Sequence, residues 1–113
     1  MARIELTDTI EAGAKILRVD GEVDLSTSAA FRAAIDRLSA SGGGRRIVDL
    51  GGCPYIDSAG LAALLHGAGR TGGFAVVASA GAPREMLQVT AIDQTLPVFD
   101  TVAQALGSAL PTS

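Results

Sequence analysis

The spacing of apolar residues switches between two periods along the chain. In Arg3-Ile4-Glu5-Leu6-Thr7 polar and apolar residues alternate, and Ile16 to Val23 puts Leu17, Val19 and Val23 on one face, the period-2 pattern of half-buried strands. With Gly13 in the connection, these two stretches read as an antiparallel hairpin with one strand near a sheet edge. Phe31, Ala34, Ile35 and Leu38 then recur at helical spacing behind Asp24-Leu25-Ser26-Thr27-Ser28, whose side chains suit a helix cap. Arg32 and Asp36 fall on the outer face of that helix, as solvated charge. The glycine-rich loop Ser39 to Gly44 releases the chain into a buried strand over Arg45 to Leu50.

A second helix follows, with Leu61, Leu64, Leu65 and Ala68 as its core stripe and Gly67, Gly69, Gly72 and Gly73 ending it. Phe74 to Ala78 is short, apolar and bounded by turn residues, as a strand buried on both faces should be. Pro83 sits in the first turn of a third helix, with Met86, Leu87 and Val89 facing inward. Thr95 to Phe99 is an edge strand, placed there by Pro97. Thr101 to Gln104 forms a capping box for a last helix with Val102, Ala105, Leu106 and Ala109 inward, and Pro111 to Ser113 fray. Strands alternating with helices after a hairpin predict an α/β fold in a single domain: one mixed sheet of about four to five strands, with about four α-helices packed on it. The core should run from about residue 3 to 107, leaving 108–113 as a tail.

Composition narrows the chemistry. Of 113 residues 48% are hydrophobic and only 4% aromatic, so the core packs small side chains closely and offers no aromatic-lined pocket. The net charge of −3, with no Lys/Arg cluster, argues against nucleic acid as a partner. Charges near the N-terminus leave no room for a signal peptide, and no apolar run reaches the roughly 18 residues of a spanning helix, so we expect a cytoplasmic protein without membrane insertion. Cys53 is the only cysteine, which rules out an internal disulfide or a multi-cysteine metal site. It reads as a small turn or core residue, with a reactive thiol as the alternative.

The stretch from Ile47 to Leu65 is a strand, a turn and a helix, with Ser58 at the helix mouth. A serine there is either an N-cap or a hydroxyl that can carry phosphate near the positive end of the helix. Other motifs fail on context. Gly67-Ala68-Gly69-Arg70-Thr71-Gly72 spells a dinucleotide fingerprint but follows a helix and enters a strand. Gly42-Gly43-Gly44-Arg45-Arg46 lacks the end of a phosphate loop. The sole histidine, His66, lies about 12 Å along the helix from Ser58, too far to act as its base, and Ile56 stands where a nucleophile elbow needs glycine. His66 has no companion for a metal site. Asp24 and Asp57 would pair as acid and base only if the fold brought them together.

Pro54-Tyr55-Ile56-Asp57-Ser58-Ala59-Gly60-Leu61, behind a strand ending Val48-Asp49-Leu50, resembles the signature of the STAS domain family, the bacterial anti-sigma-factor antagonists. The order of elements is similar from near the N-terminus to about Leu106, although only the turn from Asp57 to Leu61 is specific. The resemblance implies partner switching. The unphosphorylated domain binds an anti-sigma factor, a serine kinase with an ATP-binding fold, and frees its sigma factor; phosphorylation of Ser58 releases the complex, and a serine phosphatase resets it. It implies no enzymatic activity, no cofactor and no metal, and a monomer or weak dimer. The implied partner surface comprises Asp24, Tyr55, Ile56, Asp57, Ser58 and Gly60. Asp24, in Gly21-Glu22-Val23-Asp24-Leu25, is a partner or kinase contact or else a cap of the first helix. Asp57 either positions Ser58 or is itself the cap, and Gly60 either bares the helix for close approach or eases a tight turn. Two other roles compete: a non-switching adaptor subunit of a lipid or anion transport assembly, and a nucleotide or small-molecule sensor.

Overall fold

The computed structural model describes residues 4–40, 44–71 and 73–107. Strands β1 (Ile4–Glu11) and β2 (Ala14–Gly21) form the expected hairpin, with Leu6 opposite Val19 and Ile10 opposite Lys15. Its two-residue turn, Ala12-Gly13, has φ of 51° and 80°. Positive φ at both positions is what a type I′ turn needs, and its twist matches that of the flanking strands.

The chain continues through α1 (Ser28–Ala40), β3 (Arg46–Gly52), α2 (Ser58–Thr71), β4 (Ala75–Val77), α3 (Ala82–Val89), a 3₁₀ turn at Ile92–Gln94, β5 (Val98–Phe99) and α4 (Val102–Gly107). The five strands lie in sequence order, β1-β2-β3-β4-β5. Only β1 is antiparallel to its neighbour; β2 to β5 run parallel. Parallel neighbours require crossovers, and the helices between strands supply them.

One face of the sheet carries Leu17, Val19, Val48 and Val76 and is covered by Phe31, Ala34, Ile35 and Leu38 of α1, Leu61 and Leu64 of α2 and Leu87 of α3. The opposite face carries Ile16, Ile47, Ala75 and Val77 and meets Ala105, Val102 and Leu106 of α4. The α4 cap works as a displaced capping box: the Gln104 N–H donates to Thr101 Oγ1 at 3.1 Å, while Gln104 Oε1 accepts from the N–H of Asp100 at 2.9 Å.

Several expectations are corrected. Leu65 is 44% exposed, and Ala63 is buried instead, because the inward stripe of α2 is centred on Gly60, Leu64 and Gly67. Gly67 and Gly69 lie inside α2, which runs on to Thr71. A Cβ on Gly67 would overlap the Ile35 Cγ2 methyl and come within 3.0 Å of Phe74, so the residue is a close-packing contact with α1 and not a stop. Val89 is 81% exposed at the end of the short α3. Pro97 precedes β5, which is only two residues long. Val23 lies beyond β2, in an isolated bridge. Arg32 and Asp36 are not simply solvated: both meet His66 of α2, Arg32 Nη2 at 3.2 Å from Nδ1 and Asp36 Oδ1 at 3.3 Å from Nε2. The expectations for Ser41 to Gly43, Gly72, Ala109 and the 108–113 tail lie outside the described residues.

Candidate functional site

The parallel strands deliver their C-terminal ends to one edge of the molecule, and the turn before α2 lies there. Its position is set by an irregularity in the β2–β3 ladder: Arg18 pairs with Asp49, but Asp20 pairs with Gly52, so β3 carries one extra residue. Arg18 sits over this bulge, bonded to Asp20 and, at 3.1 Å, to the nearly buried Asp49. These carboxylates, Asp20 first and then Asp49, raise the Arg18 pKa further above its ordinary value. A Cβ on Gly52 would collide with Asp20, and one on Gly51 would lie 2.9 Å from Asp49 Oδ1. The glycine pair therefore makes room for the ion cluster that shapes the strand just before the site.

After β3 the chain is laced to the β2 end. The Val23 N–H donates to the Tyr55 carbonyl at 2.9 Å and the Asp57 N–H to the Val23 carbonyl at 3.0 Å. Ile56, fully buried, bridges Val23. Cys53 is buried beneath this turn; its thiol donates to the Tyr55 carbonyl at 3.1 Å, and burial pushes its pKa up. The reactive-thiol alternative therefore lacks the depressed pKa it needs.

Asp57 is the cap of α2: its Oδ1 accepts from the N–H of Ala59 at 2.9 Å and of Gly60 at 3.3 Å. Ser58 is the first residue of the helix, exposed, and among the described residues its hydroxyl has no hydrogen-bond partner. The cap reading of Ser58 thus passes to Asp57. Gly60 serves neither role expected of it. It is buried, and a Cβ there would lie 2.5 Å from Ile56 and 2.6 Å from Val23, so its small size lets α2 settle onto the laced turn.

Asp24 organises the neighbouring turn. Its Oδ1 accepts from the Ser26 N–H at 2.9 Å, the Ser26 hydroxyl at 2.7 Å and the Thr27 N–H at 3.2 Å. The Ser26 hydroxyl above all, then the two N–H groups, hold the Asp24 carboxyl below the usual range against partial desolvation. Thr27, buried, accepts from the Asp24 N–H and donates to the Glu22 carbonyl. Asp24 therefore caps the turn that leads into α1, and with its carboxyl kept ionised it is a poor half of an acid/base pair. Asp24, Tyr55, Asp57 and Ser58 come together at one edge with side chains at least partly in solvent, whereas Ile56 and Gly60 support them from below.

Sequence reasoning missed the buried Thr27, the Arg18 cluster and the exposure of Leu25. The Gly51-Gly52 pair after a buried aspartate was the available signal for the cluster; Thr27 and Leu25 carried none, because the bonds from Thr27 to the Asp24 N–H and the Glu22 carbonyl that bury the one and turn out the other leave no periodic trace. Among the described residues no group of His, Cys, Asp and Glu could hold a metal ion, and no helix is long and apolar enough to cross a membrane.

Comparison with known proteins bears on this arrangement. Residues 6–100 match the family model described as "Mlab, STAS domain". The chain is 31% identical over 106 residues to the anti-sigma-F factor antagonist RsfB of Mycobacterium tuberculosis, covering 91% of this chain and 87% of that one. Its fold matches the crystal structure of an anti-sigma factor antagonist from Mycobacterium paratuberculosis with a TM-score of 0.86 at 30% identity, covering 92% of each chain. The phosphorylated form of the Bacillus cell fate determinant SpoIIAA shares the fold alone, with a TM-score of 0.61 at 17% identity over 92% of this chain and 96% of that one. With a family model spanning both the hairpin and the laced turn, and relatives alike over nearly their full length, the chain belongs to the STAS domain family.

Proposed function

We propose that this domain is an anti-sigma-factor antagonist that acts in the cytoplasm, binds its anti-sigma factor through the edge formed by Asp24, Tyr55, Asp57 and Ser58, and is released when Ser58 is phosphorylated. The partner is a serine kinase with an ATP-binding fold, and a serine phosphatase restores the binding form. The domain is the substrate and supplies no catalytic chemistry. One observation carries the reading: Ser58 offers an exposed hydroxyl, unpartnered among the described residues, at a helix mouth where Asp57 already accepts from the Ala59 and Gly60 N–H groups. The names of the relatives support the same role.

The electrostatics favour a switch without refolding. A phosphoserine adds roughly −1.5 to −2 charges at neutral pH. A free helix N-terminus would offset part of that, but the Asp57 carboxylate holds the Ala59 and Gly60 N–H groups, so the phosphate gains little and is repelled by its neighbour. It therefore stays in solvent, where it blocks a close dry contact. A loss of about 3 kcal/mol at the interface lowers affinity a hundredfold or more.

The test is affinity capture from lysate of the source organism with wild type and Ser58→Glu, first with ADP and then with ATP. Wild type should retain an ATP-binding serine kinase that Ser58→Glu does not, and ATP should release it with phosphate appearing on Ser58. If both baits retain the same transport assembly and Ser58 stays unmodified, the domain is an adaptor.

A further inference from the structure

We propose that Leu25 is the anchor of the partner interface, filling an apolar socket ringed by basic side chains on the anti-sigma factor. The inference rests on the function proposed above and names the residue that supplies affinity to it. Leu25 is 82% exposed. A single exposed apolar side chain is ordinary on a protein surface, and Val89 and Ile10 are nearly as exposed. Three observations set Leu25 apart from them.

The first is rigidity. Leu25 sits in a turn closed on both sides: Asp24 Oδ1 accepts from Ser26 and Thr27, and the buried Thr27 hydroxyl bridges the Asp24 N–H and the Glu22 carbonyl, which it reaches at 2.8 Å. Backbone already fixed in the free protein loses little freedom on binding. The second is position. The bonds Val23 N–H to Tyr55 and Asp57 N–H to Val23 pin this turn to the one that ends at Ser58, where Tyr55 is itself 45% exposed. Val89, on α3, and Ile10, on the edge strand β1, belong to neither turn.

The third is charge. Glu22, Asp24 and Asp57 border the two turns, and among the described residues none of them has an ion-pair partner. An apolar anchor within an acidic surround calls for an apolar socket with an Arg or Lys rim, since complementary charge steers association and fixes register while the centre of the contact excludes water. Leu25 then contributes the same share of affinity in either state of Ser58, and a phosphate on Ser58 releases the partner by keeping the neighbouring contact wet, a loss that the Leu25 contact alone does not offset.

The experiment is titration calorimetry with purified anti-sigma serine kinases of the source organism, each tried first with wild type and then with Leu25→Ala, Leu25→Met and Val89→Ala, at low and raised sodium chloride. Leu25→Ala should weaken binding at least tenfold, Leu25→Met should keep most of the affinity, and Val89→Ala should stay within twofold. Binding of wild type should weaken as salt rises, and all three variants should melt with wild type. Leu25→Ala within twofold of wild type, or affinity indifferent to salt, would overturn the proposal. If no kinase binds wild type, the functional reading fails and the anchor with it; if wild type and Leu25→Ala bind equally, only the anchor is wrong.

Discussion

At the scale of single residues, Asp57 and Ser58 divide what one serine seemed able to do. Asp57→Ala removes the acceptor for two helix N–H groups and should lower stability by about 1 kcal/mol, the usual cost of a lost N-cap. Ser58→Ala removes a hydroxyl that no described residue bonds and should stay within about 0.5 kcal/mol. Urea unfolding of the two variants checks this, and the reverse order would return the cap to Ser58. The sequence showed that a cap belonged here but not which of two adjacent residues provides it. Asp and Ser are nearly equal as N-caps, and the choice turns on a shift of one residue in where the helix begins. Gly60 was illegible for a related reason: its neighbours Val23 and Ile56 come from two separate loops, and local sequence carries no record of that contact.

Among the elements, the clearest lesson is in α2. Its period and location were legible from the spacing of Leu61 and Leu64, and the four buried apolar residues of the facing helix α1 were read correctly, although α1 also takes in Ala40 and the buried Ser39, which the glycine-rich loop was expected to hold. The glycines misled, because helix-stopping and helix-packing glycines look alike in one dimension. Gly67 and Gly69 separate the two roles. Gly67→Ala forces a methyl into Ile35 and against Phe74 and should cost about 1 to 3 kcal/mol through overpacking. A Cβ on Gly69 meets nothing within 4 Å, so Gly69→Ala should stabilise the domain by about 0.5 to 1 kcal/mol through helix propensity. Paired thermal or urea melts test both, and a stabilising Gly67→Ala would mean that α1 and α2 sit further apart than described. The 3₁₀ turn at Ile92–Gln94 was missed, since so short a piece leaves no periodic trace.

For the molecule as a whole, the class and the helix-covered sheet followed from the alternation of patterns, while the division of the core into two unequal layers did not. Among the described residues three helices cover one face, but the opposite face rests on α4 alone, with Ala105 fully buried at its centre. Ala105→Asp should cost about 3 kcal/mol or more by burying a carboxylate without a partner, whereas Ala103→Asp on the exposed side of the same helix should stay within about 0.5 kcal/mol. Equal effects in chemical denaturation would show that α4 does not seal that layer. The strand order has a further consequence. Because the strands lie side by side in the order in which the chain is made, each one emerging from a ribosome meets an edge already built by its predecessor, and none must wait to be inserted between two later ones. The hairpin, closed by a two-residue turn, is available first as the template. Such a domain can assemble progressively during synthesis, from its first strand to its last.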